Sequence, residues 1–167
     1  DKHEVKEHSR ENLEQQFSES VALLGNYLNL YQIHSATLES GVLENVEVLE
    51  KLSELKQRGI KIGLSLSGVK QGETLEKALR VEVNGSRLFD TMQATYNLLE
   101  TSAGKMLGAA HKEGMGIIIK EALANGRLTE RNTSSDFADK LFRLQRYAEH
   151  YSTTLDAFAL AFVLQQP

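Results

Sequence analysis

A few polar side chains stand at or near the ends of apolar runs that read as β-strands. His34 closes LNLYQIH, Ser65 and Ser67 fall at the end of IKIGLSLS, Gln93 lies within LFDTMQATY, and Lys120 and Glu121 sit at the end of MGIIIK. In proteins that alternate strands and helices, ligands and catalytic groups collect where strand becomes loop. An imidazole, two hydroxyls, an amide and a charged pair at such positions could bind and orient a polar ligand. Each also has a plainer role. A strand-end histidine can bond the backbone, Ser65 and Ser67 can cap loops, Gln93 and Asn97 can satisfy sheet groups, and Lys120 can pair with Glu121. His3, His8, His111 and His150 are scattered without metal-ligand spacing, and there are no cysteines, so no metal site is expected.

The elements that must position these groups follow from hydrophobic period and stop signals. Ser9 can cap a helix over Arg10 to Leu24, with Leu13, Phe17, Val21 and Leu24 at helical spacing and Gly25 as its stop. Leu28 to His34 follows as a strand apolar enough for burial on both faces, and HSATLESG reads as a loop. Leu43 to Arg58 is the next helix, with Val46, Leu49, Leu52 and Leu55 on one side. Ile60 to Ser67 is a strand, Thr74 to Val83 a helix closed by Asn84 and Gly85, and Leu88 to Tyr96 a strand. Ser102 to Glu113 is a helix closed by Gly114, and Met115 to Lys120 the most apolar strand. Two helices end the chain, Ser135 to His150 and Thr154 to Gln166, with Thr153 and Asp156 forming a short-armed capping box.

Composition limits the function classes. The 167 residues are 41% hydrophobic and 25% charged, which suits one soluble domain with a single core. A net charge of −4 provides no basic field for nucleic acid or an anionic membrane. No apolar run reaches the roughly 18 residues of a membrane span, and Asp1 to Arg10 lacks the apolar core of a signal peptide. The absence of cysteine fits a reducing cytoplasm.

Gly25, Gly59, Gly85 and Gly114 each fall between a helix and the next strand, a β/α repeat of about 30 residues. That period belongs to a parallel (β/α)8 barrel; a doubly wound sheet is the less regular alternative. Of the four strands and six helices expected, the strands are half of what a closed barrel needs, which leaves two open parallel edges. Together with the lack of an initiator methionine, this leads to the expectation of a single domain over residues 1–167 that is part of a longer barrel, or that pairs with another chain or a second copy.

The segments LYQIHSATLESGVLE, KIGLSLSG, FDTMQATYNLLE and GIIIKEALANGRLT, in this order and spacing, resemble the central and C-terminal part of an aldo-keto reductase, from the third helix to the start of the eighth. The resemblance implies an α/β fold, a partial TIM barrel, and hydride transfer between a nicotinamide cofactor and a carbonyl. It implies that His34 is the histidine of a Tyr, Lys, Asp and His tetrad. As a neutral imidazole, His34 would donate a hydrogen bond to the carbonyl oxygen and stabilise its developing charge. The other three tetrad members belong to earlier strands of the family barrel.

The resemblance also implies cofactor contacts. Ser65 and Gln93 match groups that hold the nicotinamide carboxamide, while Leu66 stands where the family has asparagine. Many members place a ring that stacks on the nicotinamide after the seventh strand, followed by Ser-Pro-Leu; here Lys120, Glu121, Ala122 and Leu123 occupy those positions. Lys120 could reach cofactor phosphate or ribose as a point charge. Leu123 to Gly126 could offer backbone amides to pyrophosphate. NADP is the expected cofactor, with NAD possible, and the expected substrate is an aldehyde, ketone or sugar carbonyl. A non-catalytic, nucleotide-binding barrel serving as a redox-sensing or scaffold subunit is the alternative, as is a half-barrel that assembles with another chain.

Overall fold

The computed structural model describes residues 7–165. Residues 1–6, with His3, and the end of the last expected helix at Gln166 lie outside the described residues. Four strands, β1 (Leu30–Ala36), β2 (Lys61–Leu66), β5 (Thr91–Thr95) and β6 (Gly116–Lys120), form one parallel sheet in the order β1-β2-β5-β6. A short antiparallel hairpin, β3 (Glu82–Val83) and β4 (Ser86–Arg87), lies between β2 and β5 in the chain. Six α-helices accompany them: α1 (Arg10–Leu24), α2 (Val46–Gln57), α3 (Gln71–Ala78), α4 (Gly104–Lys112), α5 (Ala138–His150) and α6 (Leu155–Leu164).

The first two helices begin where a side chain takes up an unpaired amide. Ser9 Oγ accepts the Asn12 amide at 3.2 Å to start α1, and Asn45 Oδ1 accepts the Val48 amide at 3.3 Å to start α2. Asn45 also donates through Nδ2 to the His8 carbonyl at 2.8 Å, which ties the two helix starts together. The capping residue of α6 is Thr154 rather than Thr153.

One face of the sheet is packed against helices. Leu52, Leu55, Ile62, Leu64, Leu66, Leu75 and Met92 are fully buried there, and truncating any such leucine typically costs about 2–5 kcal/mol. The helical stripes are core only in part. Leu13 and Phe17 of α1 are buried, and Phe17 meets Tyr31 edge-to-face, but Val21 and Leu24 are exposed, as is Val46 in α2. The buried part of α1 meets β1, one of the two outer strands of the described sheet, through Phe17 and Tyr31. The strands are not buried on both faces either: His34 is exposed, and Gln93, Ile117, Ile118 and Ile119 are half-buried.

Two local expectations are corrected. Asn84 and Gly85, at φ +52° and +72°, do not end a helix; they turn the β3–β4 hairpin, and α3 stops earlier, at Ala78. Asn-Gly with both residues left-handed is the turn that matches strand twist. β1 also runs past His34 to Ala36, through a bulge: Ile33 pairs with Leu64 and Ala36 with Leu66, so one extra residue is accommodated and Ser35 takes φ +52°.

Candidate functional site

The face of the sheet opposite the helices is built in rows. In the lower row Gln32, Gly63, Thr91 and Gly116 are in register. Thr91 Oγ1 donates to Gln32 Oε1 at 3.4 Å, crossing over Gly63. A Cβ on Gly63 would collide with Thr91 Oγ1 and stand 2.7 Å from Gln32, so only glycine fits beneath that bridge.

The next row toward the carboxyl ends holds the polar groups. His34 follows buried Ile33 and faces the opposite way, and Ser65 pairs in register with Gln93. Ser65 Oγ donates to Gln93 Oε1 at 2.8 Å. Ser65 is 3% exposed and so fixes the amide from below. The bond leaves Gln93 Nε2 as a donor and the lone pairs of Ser65 Oγ as acceptors. A donor and an acceptor side by side are complementary to a carboxamide.

One step further along, Thr95 is in register with Lys120. These two, with Ser67, Gln71, Asn97, Glu121 and Arg127, line a cleft of about 350 Å³ over the carboxyl ends of β2, β5 and β6. The cleft walls are held by two buried amides. Gln71 donates through Nε2 to the Thr95 carbonyl at 2.8 Å and accepts the Thr95 amide at 3.0 Å, extending the edge of β5 as a strand would. Asn97 accepts the amides of Leu99 and Glu100 at 2.8 and 3.0 Å and donates to the Glu121 carbonyl at 2.9 Å. Asn97 is therefore the backbone-satisfying residue that its position allowed. The part played by Gln71 has no signal in the sequence, because it depends on α3 beginning beside β5.

The loop after β6 is bent through left-handed backbone at Glu121, Ala124, Asn125 and Gly126. The Gly126 amide donates to the Leu123 carbonyl at 3.0 Å and the Ala124 amide to the Glu121 carbonyl at 2.7 Å. Two amides of the expected pyrophosphate turn are thus engaged within the turn itself. The side chain of Leu123 packs beside Ala124, Leu128 and Ala159. Lys120 and Glu121 share the cleft, and no ion pair joins Lys120 to a carboxylate among the described residues. His34 lines a separate cavity of about 160 Å³ along the β1 edge, with Leu13, Gln16, Tyr31 and Gln32.

Carboxylates around the strand ends are held ionised. Lys77 keeps the Glu44 carboxyl below its ordinary range, and the hydroxyl and amide of Ser102 do the same for Glu100. Glu39 is lowered by its own amide and the Thr37 hydroxyl. Among the described residues, no group of acidic, histidine or cysteine side chains could hold a metal ion, and no helix is long and apolar enough to cross a membrane.

Parallel strands with helices on one face, and polar groups gathered at their carboxyl ends, define a segment of a β/α barrel. The chain belongs to the aldo/keto reductase family, whose model matches residues 1–167. Its fold is similar to that of an aldo-keto reductase from Bacillus halodurans in the holo form, with a TM-score of 0.76 at 21% identity, covering 96% of this chain and 53% of that one. The apo form of the same protein gives a TM-score of 0.74 at 20% identity, with 95% and 55% covered. A putative aldo-keto reductase from Pseudomonas aeruginosa aligns over 75% of this chain and 47% of its own, with a TM-score of 0.59 and 29% identity. The chain spans about half the length of these solved structures. No curated protein matches it.

Proposed function

We propose that the chain supplies the carbonyl-orienting and nicotinamide-holding part of an NAD(P)-dependent oxidoreductase, which passes a hydride between the nicotinamide and an aldehyde, ketone or sugar carbonyl. The observation that carries this reading is the Ser65–Gln93 pair, 2.8 Å apart on neighbouring strands and complementary to a carboxamide. The bound nicotinamide would supply the hydride. Gln93 Nε2 would donate to the carboxamide oxygen, and Ser65 Oγ would accept from its nitrogen. His34, on the same face, would donate to the substrate oxygen and stabilise the charge that develops there. The 123–126 turn would flank the rest of the cofactor, with Lys120 between that turn and the nicotinamide. NADP is the family expectation, and the tyrosine that donates the proton belongs to the strands that precede β1 in a whole barrel.

Titration with NADPH, followed by the nucleotide's fluorescence, tests the reading. Gln93→Ala is expected to weaken binding roughly tenfold, because the carboxamide loses a directed donor in a partly desolvated row. Equal binding by wild type and Gln93→Ala would sink the assignment. In the whole protein, NADPH-dependent reduction of a simple aldehyde that survives His34→Ala would remove His34 from the reaction. Nucleotide binding with no reduction at all would favour a sensing or scaffold subunit.

A further inference from the structure

We infer that Lys120 makes the site discriminate between the two redox forms of the nicotinamide, favouring the reduced one. The inference rests on the reading that Ser65 and Gln93 hold the carboxamide. The oxidised ring carries a positive charge that the reduced ring lacks, so a fixed cation nearby penalises only the oxidised form. Lys120 supplies that cation. It ends β6 in register with Thr95, two residues beyond Gln93 and on the same face of the sheet. That is about 7 Å along the strand direction, within the reach of a lysine arm.

The charge is not neutralised in place. Arg127 lines the same cleft and adds a second cation. Of the two carboxylates there, Glu100 is directed to the hydroxyl and amide of Ser102, and Glu121 is exposed and forms no ion pair with Lys120. A lysine ammonium that reaches to about 7 Å from the ring charge, at an effective dielectric of about 40–80, would change an affinity roughly three- to eightfold. The cleft is open to solvent, so the effect must shrink as salt is raised.

The test measures dissociation constants for NADPH, by fluorescence, and for NADP+, by competition, on the full chain. Lys120→Met keeps the length and the apolar stem and removes the charge; Lys120→Arg keeps the charge. Wild type and Lys120→Arg should prefer NADPH. Lys120→Met should move the NADP+ to NADPH affinity ratio roughly three- to eightfold toward NADP+, with binding of 2′,5′-ADP, which has no nicotinamide, unchanged. An unchanged ratio in Lys120→Met would overturn the inference and leave the carboxamide assignment standing. Equal weakening of NADPH, NADP+ and 2′,5′-ADP would also overturn it, assigning Lys120 to a phosphate instead. Failure of wild type to bind any of the three would overturn both readings.

Discussion

The two ends of the parallel sheet are built on opposite principles. At the amino end, Asp90 ties three strands together. Its amide donates to the Ile62 carbonyl at 2.7 Å, its Oδ2 accepts the Ile62 amide at 2.9 Å, and its carbonyl accepts the Gly116 amide at 2.9 Å. Lys56 adds an ion pair to Asp90 at 3.1 Å and donates to the carbonyls of Arg87 and Leu88 at 2.8 and 2.9 Å. The polar groups there are directed at one another. At the carboxyl end, Gln71 and Asn97 close the backbone in the same way, but Gln93 and Lys120 keep donors that no protein group occupies among the described residues. Polar chemistry at one end serves the fold; at the other, in the function proposed above, it would be held out toward the nicotinamide nucleotide.

The contrast can be broken in four ways, in falling order of effect. Asp90→Ala should cost about 2–3 kcal/mol in urea unfolding, because the Ile62 amide loses its side-chain acceptor and the Lys56 ammonium its counter-charge, and it should leave the NADPH affinity of the folded fraction unchanged. Gly63→Ala should cost about 1–2 kcal/mol through the clash with Thr91 and Gln32, and Thr91→Ser should recover little of it, because the hydroxyl remains. Ser65→Ala inverts the pattern: about 1 kcal/mol or less in stability, with a several-fold loss of NADPH affinity as Gln93 loses its anchor.

The smallest effect is a pH dependence. Glu39, Glu44 and Glu100 titrate below their ordinary range in the folded chain. Their contribution is therefore present above the unfolded carboxylate pKa of about 4.3 and is lost as pH falls through the depressed folded values. Hydrogen exchange at about pH 3–4 should show loops at the carboxyl ends loosening before the amino-end strand pairs. Simultaneous loosening at both ends would contradict the contrast.

The repeat itself is legible in the sequence, because glycine stops and apolar runs are local signals. Asn84-Gly85 reads as a helix stop, yet turns a hairpin, for a physical reason: left-handed backbone ends helices and turns hairpins alike, and only the pairing of the flanking residues decides between them. The Ser65–Gln93 bond depends on the register of two strands 28 residues apart, which no local pattern encodes. Family resemblance points to those two residues, and the structure supplies their contact. Leu123 is matched for its backbone amide, while its side chain packs into a small apolar cluster, a contact that no motif specifies. The exposed stretch of α1 reads as core because periodicity reports which face is apolar, not whether anything covers it.

The bulge at Ser35 separates two properties that a strand normally couples. Because it adds one residue opposite a two-residue step of β2, removing Ser35 would keep Ile33 and Ala36 on the helix side, and the core would register almost no change. What would change is the local twist that aims His34. Ser35 thus works as a shim under the histidine. Its deletion is expected to leave unfolding curves intact while re-pointing the His34 side chain, a difference that the imidazole resonances in an NMR spectrum would show directly.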